Sequence, residues 1–170
     1  QIKTVHQVPY RDGHVSWHEF GSASNGNAPL ILLHGGHGSW EHWRKNIEVL
    51  AEHFHLYVPD MPGFGDSSFF DSQFQVGMLE PMIATINTLI GTDVQIEIAG
   101  FSFGGFVAAH IANQRVGVQK LALLGSAGHG GPRRPKGDLL AWKEAHESGN
   151  TEELHRVMRE NLFQQMLSSY

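Results

Sequence analysis

The residues with the clearest chemical potential are one serine and the glycines around it, in the stretch AGFSFGG. Gly100 and Gly104 stand two positions before and two positions after Ser102. An apolar run precedes this stretch and a helical pattern of small residues follows it, so the serine falls in a strand-to-helix turn. Such a turn strains its central residue, requires small neighbours and exposes the serine hydroxyl. The spacing predicts that Ser102 is a nucleophile, and the alternative is a glycine-rich turn with a hydrogen-bonded serine.

Other reactive side chains lack the spacing that a site requires. The chain has 12 histidines and no cysteine, which excludes disulfides and thiol catalysis. It has no HExxH motif, and no group of His, Asp and Glu has the spacing of metal ligands. We predict no metal site and no cofactor.

Composition excludes several classes of partner. The chain has 170 residues, a net charge of −5 and 17% charged residues, which describes an ordinary globular protein without a basic surface. We therefore expect neither nucleic acid nor a membrane as partner, and no apolar run approaches the roughly 20 residues of a membrane span. The expected partner is a small-molecule substrate, and a cytoplasmic location is the default.

Strand and helix patterns alternate along most of the chain. VSWHEFG reads as an outer antiparallel strand, and four apolar runs read as buried strands: LILLHGG, HLYVPD, VQIEIAG and VQKLALLGSAG, the last a fourth central strand. Amphipathic helical patterns lie between them, which predicts an α/β fold with a doubly wound, mostly parallel sheet. Because ligands bind at the carboxyl ends of such strands, the turns HGGHG, DMPGFGDSS and GFSFGG should converge on one rim.

The pattern changes after the last strand. Gly128 to Gly137 reads as a connector, followed by a short helix at Leu139, Leu140 and Trp142. A second helix, with Asn150 or Thr151 as its N-cap, is predicted to run to the end of the chain. We therefore divide the chain into residues 1–131, part of an α/β core, and 132–170, a connector and helical segment.

Three motifs together resemble the α/β-hydrolase fold. LILLHGGHGSWEHW, VPDMPGFGDSS and AGFSFGG stand in the order and spacing of that family, over about residues 13–130. The resemblance is to the N-terminal part of its cap-bearing branch, which includes esterases, carbon–carbon bond hydrolases, haloalkane dehalogenases and epoxide hydrolases. It implies a core truncated after the central strands and the start of a helical cap. Serine at position 102, where the dehalogenases and epoxide hydrolases carry Asp, argues against those two subfamilies.

The resemblance also implies roles for individual residues. Ser102 would form an acyl-enzyme that water then hydrolyses, with an ester or a cleavable ketone as substrate. The backbone N–H groups of Phe103 and Gly36 would form the oxyanion hole. Three neighbours would shape the substrate pocket: Gly35, His37 and Phe101. His34 and, within its helix, His110 are expected to be structural. Asp60 and Asp66 are expected to stabilise their turn or to line the pocket rim.

A triad of this family also needs an acid and a histidine, which follow later strands. After Ser102 the histidines are His110, His129, His146 and His155, of which only His129 stands at a strand end. We therefore expect an N-terminal fragment that lacks the triad acid and histidine. Either a missing C-terminal half or a second copy would cover the open sheet edge. The alternatives are a non-catalytic ligand-binding or receptor protein and a scaffold that assembles through that edge.

Overall fold

The structure, a computed structural model, describes residues 3–23, 26–131 and 140–162, the last residue by its backbone only. The chain forms two compact units that divide between His129 and Gly130. The division predicted between residues 131 and 132 stays a prediction. Most of the predicted connector, Leu139 and the end of the predicted last helix lie outside the described residues.

The first unit contains one sheet, which within the described residues has six strands in the order β1-β2-β4-β3-β5-β6. β1 is antiparallel to β2 and β2 to β4, whereas β4, β3, β5 and β6 are parallel. The predicted α/β class with a mostly parallel sheet is confirmed. The bounds are β1 Thr4–Tyr10, β2 Gly13–Phe20, β3 Leu30–Leu33, β4 Leu56–Pro59, β5 Ile96–Phe101 and β6 Val118–Leu124.

Three helices connect the parallel strands. A 3₁₀ turn, Trp40–Trp43, leads into α1 (Arg44–Ala51) between β3 and β4. A π-helical segment, Gln75–Leu79, leads into α2 (Glu80–Leu89) between β4 and β5. The third helix, α3 (Phe103–Gln114), joins β5 to β6.

The second unit contains α4 (Trp142–Glu147) and α5 (Thr151–Leu162). Asn150 is the N-cap of α5, because its Oδ1 accepts the Glu153 N–H at 3.1 Å. None of the helices that the structure describes is long and apolar enough to span a bilayer.

The core lies on both faces of the sheet, and β3 contributes to both. Ile31 and Leu33 pack on the side of α2 and α3, whereas Leu30 and Leu32 pack on the side of α1. Alternation of side chains along a strand therefore explains why LILL is apolar at every position. β3 is held between two apolar layers, and this fixes the position of the turn that follows it.

β6 differs from its prediction as a central strand. Within the described residues it is the edge of the sheet, and every residue after Val118 is exposed. Leu121, Leu123 and Leu124 are 39%, 49% and 47% exposed. The apolar run correctly indicated a strand suited to burial on both faces, but it carried no information on what covers those faces.

The sequence did not reveal β1, which joins β2 in a hairpin. Glu19 on β2 fastens this hairpin, because its carboxylate contacts His6 Nε2 and His55 Nε2, each at 2.6 Å. Burial opposes ionisation of Glu19, but the two histidine contacts outweigh it and lower the pKa of the carboxyl group. One side chain thereby links β1, β2 and the residue preceding β4.

Candidate active site

Ser102 lies in the turn between β5 and α3 with φ 55° and ψ −115°. A positive φ is uncommon for a side-chain-bearing residue, and the surrounding backbone holds it there. Its N–H donates to the Leu124 carbonyl at 3.0 Å, and its carbonyl accepts the N–H groups of Gly105 and Ala127 at 3.0 and 3.1 Å. The hydroxyl does not cap α3, and it has no hydrogen-bond partner among the described residues. The turn therefore fixes the backbone of Ser102 and leaves its Oγ available.

The glycines on either side of Ser102 are required by close backbone contacts. A Cβ on Gly100 would stand 2.6 Å from the Gly104 carbonyl carbon, so the turn folds back on itself. A Cβ on Gly104 would stand 2.7 Å from the Leu33 carbonyl carbon and closer still to the His34 oxygen. Real Cβ atoms do not approach backbone this closely. Gly104 thus lets the first turn of α3 rest against the end of β3.

The turn after β3 brings Gly36 next to Phe103. The Gly38 N–H donates to the Gly35 carbonyl at 3.2 Å, and His37 has φ 56°. A Cβ on Gly36 would have one neighbour within 4 Å, the Phe103 Cβ at 3.9 Å. Neither the Gly36 nor the Phe103 N–H donates to an acceptor in the described part of the chain. The structure therefore brings the two predicted oxyanion donors together beside Ser102.

His34 holds this turn in place through hydrogen bonds of its ring. Its ring is fully buried, Nδ1–H donates to the Gly35 carbonyl at 2.7 Å, and Nε2 accepts the Met61 N–H at 3.0 Å. Burial lowers the pKa of His34, so the neutral imidazole is the form that these bonds require. Because both ring nitrogens are engaged, His34 joins the turn after β3 to the turn after β4 and is not available as a base.

Asp60, at the end of β4, is also structural. Its side chain is buried, Oδ1 accepts the Trp40 N–H at 2.9 Å, and Oδ2 accepts the Asp66 N–H at 3.0 Å. Asp66 in turn offers its carbonyl to His14 Nε2 at 2.8 Å. The Asp60 carboxylate and the Asp66 backbone, on either side of MPGFG, thus hold these turns.

The predicted pocket residues occupy different positions around the turn. Gly35 is buried, and its Cβ position lies 3.0 Å from the Phe101 ring, which covers it. His37 is exposed at the tip of the turn. Phe101 packs with the core on the α1 side, whereas Phe103 packs with the core on the α2 and α3 side.

Sequence reasoning missed an aromatic cluster next to the turn. The ring of Phe74, which precedes the π-helical segment, lies 6.3 Å from Phe103 and 5.0 Å from Phe106. Phe64 lies 6.4 Å from Phe103, and His110 lies 4.6 Å from Phe106. His110 is thus a packed ring in this cluster. The available signal was the density of Phe in the segment from 64 to 74.

The later histidines lie at the end of the first unit or in the second unit. His129 is exposed beyond β6, at the end of the first unit. His146 lies in α4 and His155 in α5, both within the second unit. Among the residues the structure describes, no group of His, Asp and Glu is arranged to hold a metal ion.

A strained serine at a strand-to-helix turn, facing a glycine turn from a neighbouring parallel strand, defines a hydrolase-type α/β protein. A model of the alpha/beta hydrolase fold family matches residues 28–170. The chain belongs to this family.

Individual relatives extend this finding. A soluble epoxide hydrolase of Corynebacterium sp. strain C12 is 35% identical over 97 residues, 56% of this chain and 34% of that protein. A solved structure of a membrane phospholipase A, described as a bacterial virulence factor, is similar with a TM-score of 0.65 and 30% identity over 87% of this chain and 46% of that one. A serine hydrolase from Cycloclasticus zankles has a TM-score of 0.70 over 91% of this chain and 56% of that one. Its 23% identity shows the fold alone.

These relatives are longer than this chain. The chain spans about a third of the length of the curated relatives it matches. It spans about half of the two solved structures.

The glycine contacts predict a contrast between two substitutions. Gly104→Ala should lower the free energy of unfolding by about 3 kcal/mol or more, because its methyl group meets the backbone of β3. Gly36→Ala should change that free energy by less than about 1 kcal/mol, because its methyl group enters open space. Urea unfolding followed by tryptophan fluorescence measures both, and equal effects of the two would contradict the described packing.

The buried imidazoles predict that acidification lowers the free energy of unfolding. The loss should begin at a higher pH than the range in which carboxyl groups titrate. Burial lowers the pKa of His18 and His34 below the ordinary value of 6.5. The unfolded chain then binds more protons than the folded one, so stability should fall as pH drops through about 6.5, by up to about 1.4 kcal/mol per unit for each histidine. Urea midpoints between pH 7.5 and 5 test this. His18→Asn should flatten the slope and His37→Asn, at the exposed turn, should keep it; a flat wild-type profile would refute the expectation.

Proposed function

We propose that this protein is a serine hydrolase that forms an acyl-enzyme on Ser102. The observation that carries the proposal is the placement of an unbonded Ser102 hydroxyl in a strained turn, with the N–H groups of Phe103 and Gly36 beside it. Family membership supports hydrolysis as the reaction class. The serine mechanism itself is our inference from the geometry.

The reaction would proceed in two acyl-transfer steps. Ser102 Oγ attacks the substrate carbonyl carbon, and the carbonyl oxygen becomes an oxyanion that the Phe103 and Gly36 N–H groups stabilise. The base takes the Ser102 hydroxyl proton as the bond forms and gives it to the leaving group when the intermediate collapses, which leaves an ester on Ser102. Water then attacks that ester, releasing the acid and restoring the hydroxyl. A donor aimed at the developing charge contributes about 3–4 kcal/mol to the lowering of the barrier.

The base that activates Ser102 is proposed to lie in a part of the protein beyond this chain. Both nitrogens of His34 are engaged by backbone groups, and His110 packs among aromatic rings. In the family, the acid and the histidine follow later strands. We therefore propose that this chain is an N-terminal part that supplies the nucleophile and the oxyanion donors.

The substrate class follows from the nucleophile. We propose a small carboxylic ester or a ketone that can be cleaved at a carbon–carbon bond. Epoxide opening is the second candidate, favoured by the identity to the Corynebacterium protein. Attack of a serine oxygen on an epoxide would form an ether, which water does not readily hydrolyse. The serine therefore favours acyl transfer.

The nucleophile is tested by active-site labelling. A serine-directed organophosphonate should modify the full-length protein at Ser102, and the Ser102→Ala variant should lose at least 90% of the label, roughly a tenfold loss. Ser126→Ala is the matched control, since this nearby serine donates its Oγ to the Ala127 carbonyl at 2.9 Å and should leave labelling intact.

Peptide mapping of the labelled protein reads out the modified residue. A wild-type protein without label at Ser102 would overturn the proposal. A rise in melting temperature with ester analogues, unaccompanied by product release, would then favour the non-catalytic ligand-binding alternative.

We also propose that further strands of the same polypeptide cover β6. The strand exposes apolar side chains on both faces, and the relatives with this fold are about 1.6 to 1.9 times as long as this chain. A monomer whose remaining residues continue the sheet accounts for both observations. A scaffold of two copies joined at β6 is the competing arrangement.

Light scattering and unfolding of the full-length protein distinguish these arrangements. We expect a monomer in which Leu123→Lys lowers the free energy of unfolding by about 2 kcal/mol or more, because a charge is buried. Val116→Lys, at a residue that is 91% exposed, should be neutral. A dimer that dissociates on Leu123→Lys would show instead that a second copy covers β6. A monomer whose free energy of unfolding is unchanged by Leu123→Lys would show that nothing covers β6.

A further inference from the structure

His42 contacts the turn after β3 at two of its glycines, Gly35 and Gly38. It belongs to the 3₁₀ turn before α1, and its Nδ1 accepts the Gly35 N–H at 3.2 Å. The imidazole also lies directly on Gly38, where a Cβ would stand 2.6 Å from Nδ1. Gly38 is therefore a glycine because the His42 ring occupies the space of a side chain.

Two imidazoles together fix two successive peptide units of this turn. His34 holds the Gly35 carbonyl, which belongs to the same peptide unit as the Gly36 N–H. His42 holds the Gly35 N–H, which belongs to the preceding unit. In a trans peptide the C=O and N–H point in opposite directions, and no peptide bond is cis in the described chain. A carbonyl held toward His34 thus directs the Gly36 N–H away from it.

We propose that His42 is a positioning residue, which orients the Gly36 N–H for the oxyanion by accepting the Gly35 N–H as a neutral imidazole. The inference rests on the proposed function, in which Gly36 is an oxyanion donor. Protonation at Nδ1 would place two N–H groups against each other and release the Gly35 peptide.

The surroundings of His42 are consistent with this neutral form. Its ring lies 6.0 Å from that of His34 and 6.1 Å from that of Phe101. Asp60 interacts with His34, and Glu41 is the acidic residue in the same 3₁₀ turn. Partial desolvation lowers the pKa of His42, which extends the pH range of the acceptor form.

Two variants separate the acceptor from the ring. His42→Phe keeps an aromatic ring over Gly38 but cannot accept the Gly35 N–H, whereas His42→Asn keeps an acceptor near the position of Nδ1 and does not titrate. In the full-length protein, we expect His42→Phe to slow acylation by p-nitrophenyl butyrate about 10- to 100-fold with little change in KM, because a misplaced donor fails mainly in the transition state. We expect His42→Asn to recover most of the rate. In its pH–rate profile, the part of the fall at low pH that protonation of His42 causes should be absent.

The backbone N–H signal of Gly35 in the NMR spectrum gives a readout independent of activity. It should shift on acidification in the wild type, shift at neutral pH in His42→Phe, and stay near its neutral position in His42→Asn. A His42→Phe variant with wild-type acylation, or a His42→Asn variant no better than His42→Phe, would overturn the proposal. If the wild type is not acylated, the proposed function fails, and the Gly35 signal still tests the positioning role. A Gly35 signal that does not move in His42→Phe would overturn that role.

Discussion

The close approach of α3 to the end of β3 is the constraint on which the rest of the site depends. Gly104 permits it, because its missing Cβ lets the helix rest on the carbonyl groups of Leu33 and His34. The same approach places Phe103 against Gly36, next to Ser102 with its positive φ. The proposed nucleophile and the proposed oxyanion donors therefore meet at one backbone-to-backbone contact.

Buried polar groups then hold the loops around that contact. His34 joins the turn after β3 to the one after β4, and Asp60 accepts backbone N–H groups from both segments. An unsatisfied buried donor or acceptor costs about 1–3 kcal/mol, so each of these side chains resists replacement by an apolar one. A neutral imidazole suits His34 because it can donate from one nitrogen and accept at the other.

Local patterns predicted the parts of the fold that local patterns determine. The apolar runs of β3, β4 and β5 and the glycines around Ser102 report close packing directly, so the buried strands and the strand-to-helix turn were predicted from them. β1 has a mixed pattern and depends on Glu19, which contacts two histidines distant in sequence. β6 was recognisable as a strand, but its place in the sheet depends on neighbours. The role of His42 was invisible because its partner, Gly35, is specified only by the three-dimensional path of the turn.

The pairing of β3 with β5 has a consequence for the order of folding. Leu30 pairs with Glu97, so the central strand remains without one neighbour until a long intervening segment has been synthesised and ordered. Contacts of such sequence separation form slowly, because loop closure precedes any gain from pairing. The Gly35–Gly36 turn also lacks its Phe103 neighbour until α3 docks. Gly36 and Phe103, the two proposed oxyanion donors, are therefore brought together only by contacts between segments distant in sequence.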